Sequence, residues 1–203
     1  MGKRNLFIIG DSVSIHYGPY LKKMTEYKFT YDRKRGIEQA LEDLDTPIGA
    51  NAGDSKMVLK YLQEEYDKNT KYDILIINCG LHDIRVDRLT NKIQVELKEY
   101  QMNLSKIIEI SKSMANKTIW VGLTPVIDEI HNSRKEGFLR YNKDVIKYDT
   151  AAKKIMQELK IPCIDMYNFT RSLGEDIYSD HVHFKNKVRK LQAAFIAGYL
   201  NSI

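Results

Sequence analysis

Short apolar runs alternate with helical stripes along this chain, and that alternation leaves few folds open to it. Asn5–Gly10, Asp73–Cys79, Thr118–Leu123 and Ile161–Asp165 have the length and residue types of strands, and Pro47–Ala50 is a shorter run read as a further one. Helical spacing fills the intervals. Tyr17–Tyr27 is a short helix, and Ser55–Tyr66 carries Val58, Leu62 and Tyr66 on one face. Lys92–Met114 carries Ile93, Leu97, Tyr100, Leu104, Ile107 and Ile108. Tyr141–Leu159 repeats the stripe through Val145, Tyr148, Ala152, Ile155 and Leu159, and Lys185–Leu200 does so through Val188, Leu191, Phe195 and Tyr199. Strands separated by helices imply right-handed crossovers and a parallel sheet covered on both faces. The expected architecture is a three-layer α/β/α sandwich around a central parallel sheet of about five strands. At 203 residues, with no repeat, low-complexity tract or linker, the chain reads as one domain spanning residues 1–203.

Composition narrows the class further. With 43% hydrophobic and 29% charged residues, the chain has the balance of an ordinary soluble domain. The net charge of +5 is mild, and Lys185, Lys187, Arg189 and Lys190 spread over several faces of a helix. They read as a solvated surface, and no nucleic-acid partner is expected. No run of about 18 apolar residues is present, so no membrane partner is expected. The chain opens directly into its first strand with no signal-peptide core ahead of it, and a cytoplasmic location is the expectation. Cys79 and Cys163 fall in apolar segments and read as buried free thiols.

The topology gathers the chemistry. In open α/β sheets, ligands bind beyond the carboxyl ends of the strands. Gly10-Asp11-Ser12 follows the first strand and Gly80-Leu81-His82-Asp83 follows the Asp73–Cys79 strand. Thr124-Pro125 and the loop carrying Asp180-His181-Val182-His183 follow later ones. All therefore fall on one edge. Two long loops, Thr124–Arg140 and Met166–His183, begin at that edge and are expected to shape the pocket there.

A serine between a strand and a helix is often an N-cap. An imidazole base oriented by a carboxylate turns the same hydroxyl into a nucleophile. Asp180 stands three residues before His183, close enough to bond its Nδ1 within one turn and fix the tautomer a general base needs. Two other readings of Asp180–His183 are a polar loop and a metal pair formed by His181 and His183. Asp11 reads as a turn residue, and Asp54 or Ser55 as the cap of the next helix. His16 and His131 read as surface or pocket residues.

Gly10-Asp11-Ser12, Asn51-Ala52-Gly53-Asp54-Ser55, Gly80-Leu81-His82-Asp83 and Asp180-His181-Val182-His183, in this order, resemble the motifs of the SGNH hydrolases, the GDSL-type esterases and acylhydrolases. The resemblance runs over nearly the whole chain and implies their flavodoxin-like fold. It implies Ser12 as nucleophile, His183 as general base and Asp180 as the group that orients it. The backbone N–H groups of Ser12 and Gly53 become oxyanion donors. The third donor of the family is an asparagine in Gly-x-Asn-Asp; here His82 stands in its place, with Asn78 and Asn51 as alternatives. The implied activity is cleavage of a carboxylic ester through an acyl-serine, often of a small acyl group such as acetyl on a carbohydrate, with no cofactor. A small-molecule or carbohydrate ester is the expected partner. The rivals are a metal-dependent hydrolase using His181 and His183, and a binding module without chemistry.

Overall fold

The computed structural model describes residues 2–134 and 136–203. The first half runs β1 (Arg4–Ile9), α1 (Ser12–Thr25), β2 (Phe29–Arg33), α2 (Ile37–Glu42), α3 (Ser55–Asp67), β3 (Tyr72–Ile77) and β4 (Val86–Asp87). Then follow α4 (Leu97–Met114), β5 (Ala115–Val121), α5 (Asp128–Asn132), β6 (Phe138–Leu139), α6 (Asn142–Glu158), β7 (Cys163–Ile164), α7 (Met166–Arg171) and α8 (Asn186–Asn201). Five parallel strands form the central sheet in the order β2-β1-β3-β5-β7, and β4 and β6 pair antiparallel in a separate ribbon. Helix α1 packs against α8, while α3, α4 and α6 pack in series. This is the three-layer α/β/α arrangement expected from the alternation. Among the described residues no helix is long and apolar enough to cross a membrane.

The strand order reverses at β1. The chain leaves β1 for β2 on one side, then crosses to β3 on the other, so the turns after β1 and β3 border the crevice where doubly wound sheets bind ligands. Leu6, Ile8 and Ile9 of β1 and Leu75, Ile76 and Ile77 of β3 are fully buried, as strands covered on both faces must be.

Several elements depart from the sequence reading. Pro47–Ala50 is not a strand. Gly49 there has φ +54°, and a Cβ on it would lie 2.2 Å from the Gly36 carbonyl oxygen, so the segment is a close-packed turn. The second strand is Phe29–Arg33, whose ends alone are buried. An edge strand pairs on one side only, so it needs no continuous apolar run. Helix α1 begins at Ser12 rather than Tyr17. Pro19 sits inside the helix, and Gly18 lets the backbone approach the Tyr31 ring. Helix α4 begins at Leu97 rather than Lys92, because Ile93 instead bridges to Val86. The two long loops hold α5, β6 and α7.

Ile76 lies in the centre of β3 with no exposed surface. Ile76→Ala is expected to cost roughly 2–5 kcal/mol of folding stability. Urea denaturation should show a lower midpoint at an unchanged slope.

Candidate active site

The turn after β1 is built around Asp11. Its carboxylate accepts the Val13 N–H at 3.0 Å and caps α1, which makes Ser12 the first helical residue. The Ser12 N–H is thereby one of the unpaired donors of a helix start, where the dipole favours negative charge. Ser12 Oγ lies 2.7 Å from Nε2 of His183. Nδ1 of the same ring lies 2.8 Å from Oδ2 of Asp180. The other Asp180 oxygen accepts the backbone N–H groups of Val182 at 2.9 Å and His183 at 2.7 Å. One carboxylate thus closes the turn and aligns the ring, which is why a spacing of three residues suffices.

Burial would raise the Asp180 carboxyl, but the bonds from the His183 ring and the two amides hold it well below the usual carboxylate range. An ionised Asp180 keeps the proton on Nδ1 and leaves Nε2 as acceptor toward Ser12. His16, one turn along α1, packs edge-on against His183 with ring centroids 4.9 Å apart. Burial, and then the charge of His183, push His16 down to about 4, so it backs the base as a neutral ring.

Gly53 holds φ +73°, and a Cβ there would meet Met57 Sδ at 2.5 Å and Pro47 Cβ at 2.8 Å. Its N–H makes a long 3.2 Å bond to Asn51 Oδ1. Asp54 caps α3 through the Met57 N–H, and both Asp83 oxygens accept the Ser55 N–H at 3.0 Å. The amide nitrogen of Asn51 donates to Leu44 O at 3.1 Å, and that of Asn78 to Val121 O at 2.8 Å. Neither amide is free. His82 is only 2% exposed, and among the described residues its buried Nδ1 has no hydrogen-bond partner. Burial first, then the charges of Arg85 and Arg140, push it well below the usual histidine range. His82 is therefore neutral and carries one N–H.

A family model for the GDSL-like lipases and acylhydrolases matches residues 6–196. The chain belongs to that family. Solved structures agree at the level of fold. A lipase/acylhydrolase from Enterococcus faecalis superposes with a TM-score of 0.72 at 16% identity, covering 98% of this chain and 96% of that one. An acetyl xylan esterase gives 0.70 at 12% identity, covering 97% and 99%. An acetylxylan esterase from Geobacillus stearothermophilus gives 0.68 at 15% identity, covering 97% and 94%. No curated protein sequence matches the chain.

Against the GDSL-family pattern, the structure brings Ser12, His183 and Asp180 into one hydrogen-bonded chain. His181 and His183 are not paired for a metal: their ring centroids are 6.0 Å apart, and both nitrogens of His183 are engaged by Asp180 and Ser12. Among the described residues no group of three or more His, Cys, Asp or Glu could hold a metal. His131 is fully buried, and His82 does not bond Asp83. The two long loops face each other across a cleft of about 710 Å³, lined by Pro125 and Ile127 on one side and Tyr167 and Tyr178 on the other. What the sequence reading missed is a cluster beside His181. Asp45, Arg85, Arg134, Phe138 and Arg140 come from three separate segments and carry no motif. The positions of Arg134 and Arg140 in a loop starting at the sheet edge are the only signal.

Burial raises the Asp83 carboxyl from 3.8 to about 7. Between those values the unfolded chain binds fewer protons than the folded one, so this group makes stability fall as pH rises, levelling off above pH 7. Asp83→Asn removes that slope. From pH 4 to pH 8 its stability should gain on wild type by up to about 4 kcal/mol, read from urea midpoints at each pH.

Proposed function

We propose that this chain is a serine esterase that cleaves a carboxylic ester, a small acyl group such as acetyl on a carbohydrate, through an acyl-Ser12 intermediate. The observation that carries this reading is the Ser12–His183–Asp180 hydrogen-bond chain at the reversal point of the sheet. His183 Nε2 takes the Ser12 proton as Oγ attacks the carbonyl carbon. Asp180 stabilises the imidazolium that results. The tetrahedral oxyanion is met by the Ser12 N–H, the Gly53 N–H and the single N–H of neutral His82. His183 then returns the proton to the leaving alcohol. Water, deprotonated by the same imidazole, attacks the acyl carbon and releases the acid and free Ser12. These steps use no cofactor. The acetyl xylan esterases of matching fold support a small acyl group on a sugar.

Covalent labelling by a fluorophosphonate should occur on wild type and vanish in Ser12→Ala. With p-nitrophenyl acetate, Ser12→Ala and His183→Ala should each lose at least roughly 10³-fold in kcat, since the groups act as a unit. His181→Ala should lose far less; the reverse order for the two histidines would assign the base to His181.

The charge met by His82 exists only in the transition state. His82→Ala should therefore lower kcat by on the order of 10²–10³ with little change in KM, and His82→Asn should recover much of it. Equal, small effects from both substitutions would remove His82 from the oxyanion site.

A further inference from the structure

Beside the base lies a concentration of positive charge for which the esterase chemistry has no use. The guanidinium carbons of Arg85, Arg140 and Arg134 stand 4.0, 4.7 and 5.1 Å from the centre of one ring, that of Phe138. Asp45 is the carboxylate bonded to them among the described residues, while Asp11 acts on Arg140 and Arg85, and Asp43 on Arg85, at longer range. Asp45 Oδ2 accepts from Arg134 Nη1 at 2.5 Å and lies 3.2 Å from Nε2 of His181. Arg85 reaches only the backbone carbonyl of Asp45. Arg140, 2% exposed, spends Nε on the Leu81 carbonyl at 2.6 Å and Nη1 on Nε2 of His131 at 3.1 Å, and so meets no carboxylate. Of the three guanidinium groups, Arg134 alone is bonded to a carboxylate among the described residues. Among the described residues, the buried Nε of Arg85 and the buried Nε and Nη2 of Arg134 have no partner.

Leaving buried guanidinium N–H groups unpaired is costly. His131 beside them has shed its own charge: burial, then Arg140, push it down to about 3. Arginines cannot shed theirs. Burial and mutual repulsion lower Arg140 only to about 9 and Arg85 to about 10, so both stay charged. Among the described residues no carboxylate bonds Arg85 or Arg140, and an anion in contact with them is the missing component. The guanidinium fork matches carboxylate and phosphate oxygens in pairs.

We propose that Arg85, Arg134 and Arg140 form a subsite for an anionic oxyacid group, a carboxylate or phosphate, on the alcohol part of the ester. The proposal rests on the esterase reading above and names its substrate class, an O-acylated acidic sugar. Its position puts the anion on the alcohol. The His181 ring links the cluster to the base, 4.8 Å from His131 and 6.0 Å from His183 between ring centroids. The leaving oxygen has to lie beside His183 to receive its proton. Arg140 holds the carbonyl of Leu81, next to His82, so the cluster reaches the same wall of the site.

The test compares matched esters: an acetylated methyl glucuronoside, the corresponding acetylated methyl glucoside, and an acetylated sugar phosphate. Wild type should favour an acidic ester over the glucoside by on the order of 10–100-fold in kcat/KM, residing mainly in KM. Arg134→Met, and separately Arg85→Met, should bring that ratio near one. A merely structural cluster would slow all three esters alike and leave the ratio unchanged. Binding is read apart from turnover in Ser12→Ala, where methyl glucuronoside or methyl phosphate should raise the melting temperature in a salt-sensitive way and methyl glucoside should not. The anion that produces the shift identifies the oxyacid. A wild-type ratio near one together with no shift from either anion overturns the subsite. Failure of fluorophosphonate labelling and of p-nitrophenyl acetate turnover would sink the esterase reading instead, and the melting shifts would still decide the subsite.

Discussion

The parallel pairing of β1 with β3 is the contact on which the rest of this molecule depends. Leu6 to Ile9 lie in register with Ile74 to Ile77, and both strands are buried on two faces. Because they are parallel, they end at the same edge. Because the strand order reverses at β1, the turns that follow diverge and leave a crevice. Ser12 comes from one turn and His82 from the other. The last long loop then has to return across this edge before α8, which carries His183 to Ser12 over a separation of 171 residues.

Around that crevice, carboxylates are used twice over. Asp11 caps α1, Asp54 caps α3, and Asp83 ties the start of α3 to the turn after β3. Asp180 closes its own turn and orients His183. Each holds backbone N–H groups that would otherwise be unpaired at a buried edge. The result is a site whose groups are fixed before any substrate arrives, which is the condition for electrostatic stabilisation of a transition state. In the proposed reading, histidine in place of the family asparagine follows the same logic. A buried neutral imidazole offers a single N–H, and the nearby amides of Asn51 and Asn78 are already spent on backbone carbonyls.

The arginines impose the opposite condition. Among the described residues Arg134 alone of the three is bonded to a carboxylate, and His131 and His82 have gone neutral beside them. A buried guanidinium with no bonded carboxylate favours a ligand that brings one, and in the proposed reading the cluster discriminates among esters that the hydrogen-bond chain would otherwise treat alike.

Much of this was legible in the residues. Apolar runs of strand length between helical stripes determined the layered α/β fold, because a parallel strand must be apolar on both faces and a crossover helix on one. Gly-Asp-Ser after such a run, and Asp-x-x-His in a late loop, marked Ser12, Asp180 and His183, because a single turn suffices to join that carboxylate to that ring. Phe29–Arg33 was not legible, since an edge strand needs little apolar sequence, and Pro47–Ala50 misled because its small residues serve close packing rather than pairing. Only the tertiary structure decided that Asn51 and Asn78 are committed while, among the described residues, Nδ1 of His82 is unpaired, since hydrogen-bond supply at a site depends on neighbours far away in the chain. It alone assembled Asp45, Arg85, Arg134 and Arg140, because charge excess is a property of a volume, and residues from separate segments share no spacing that a sequence could display.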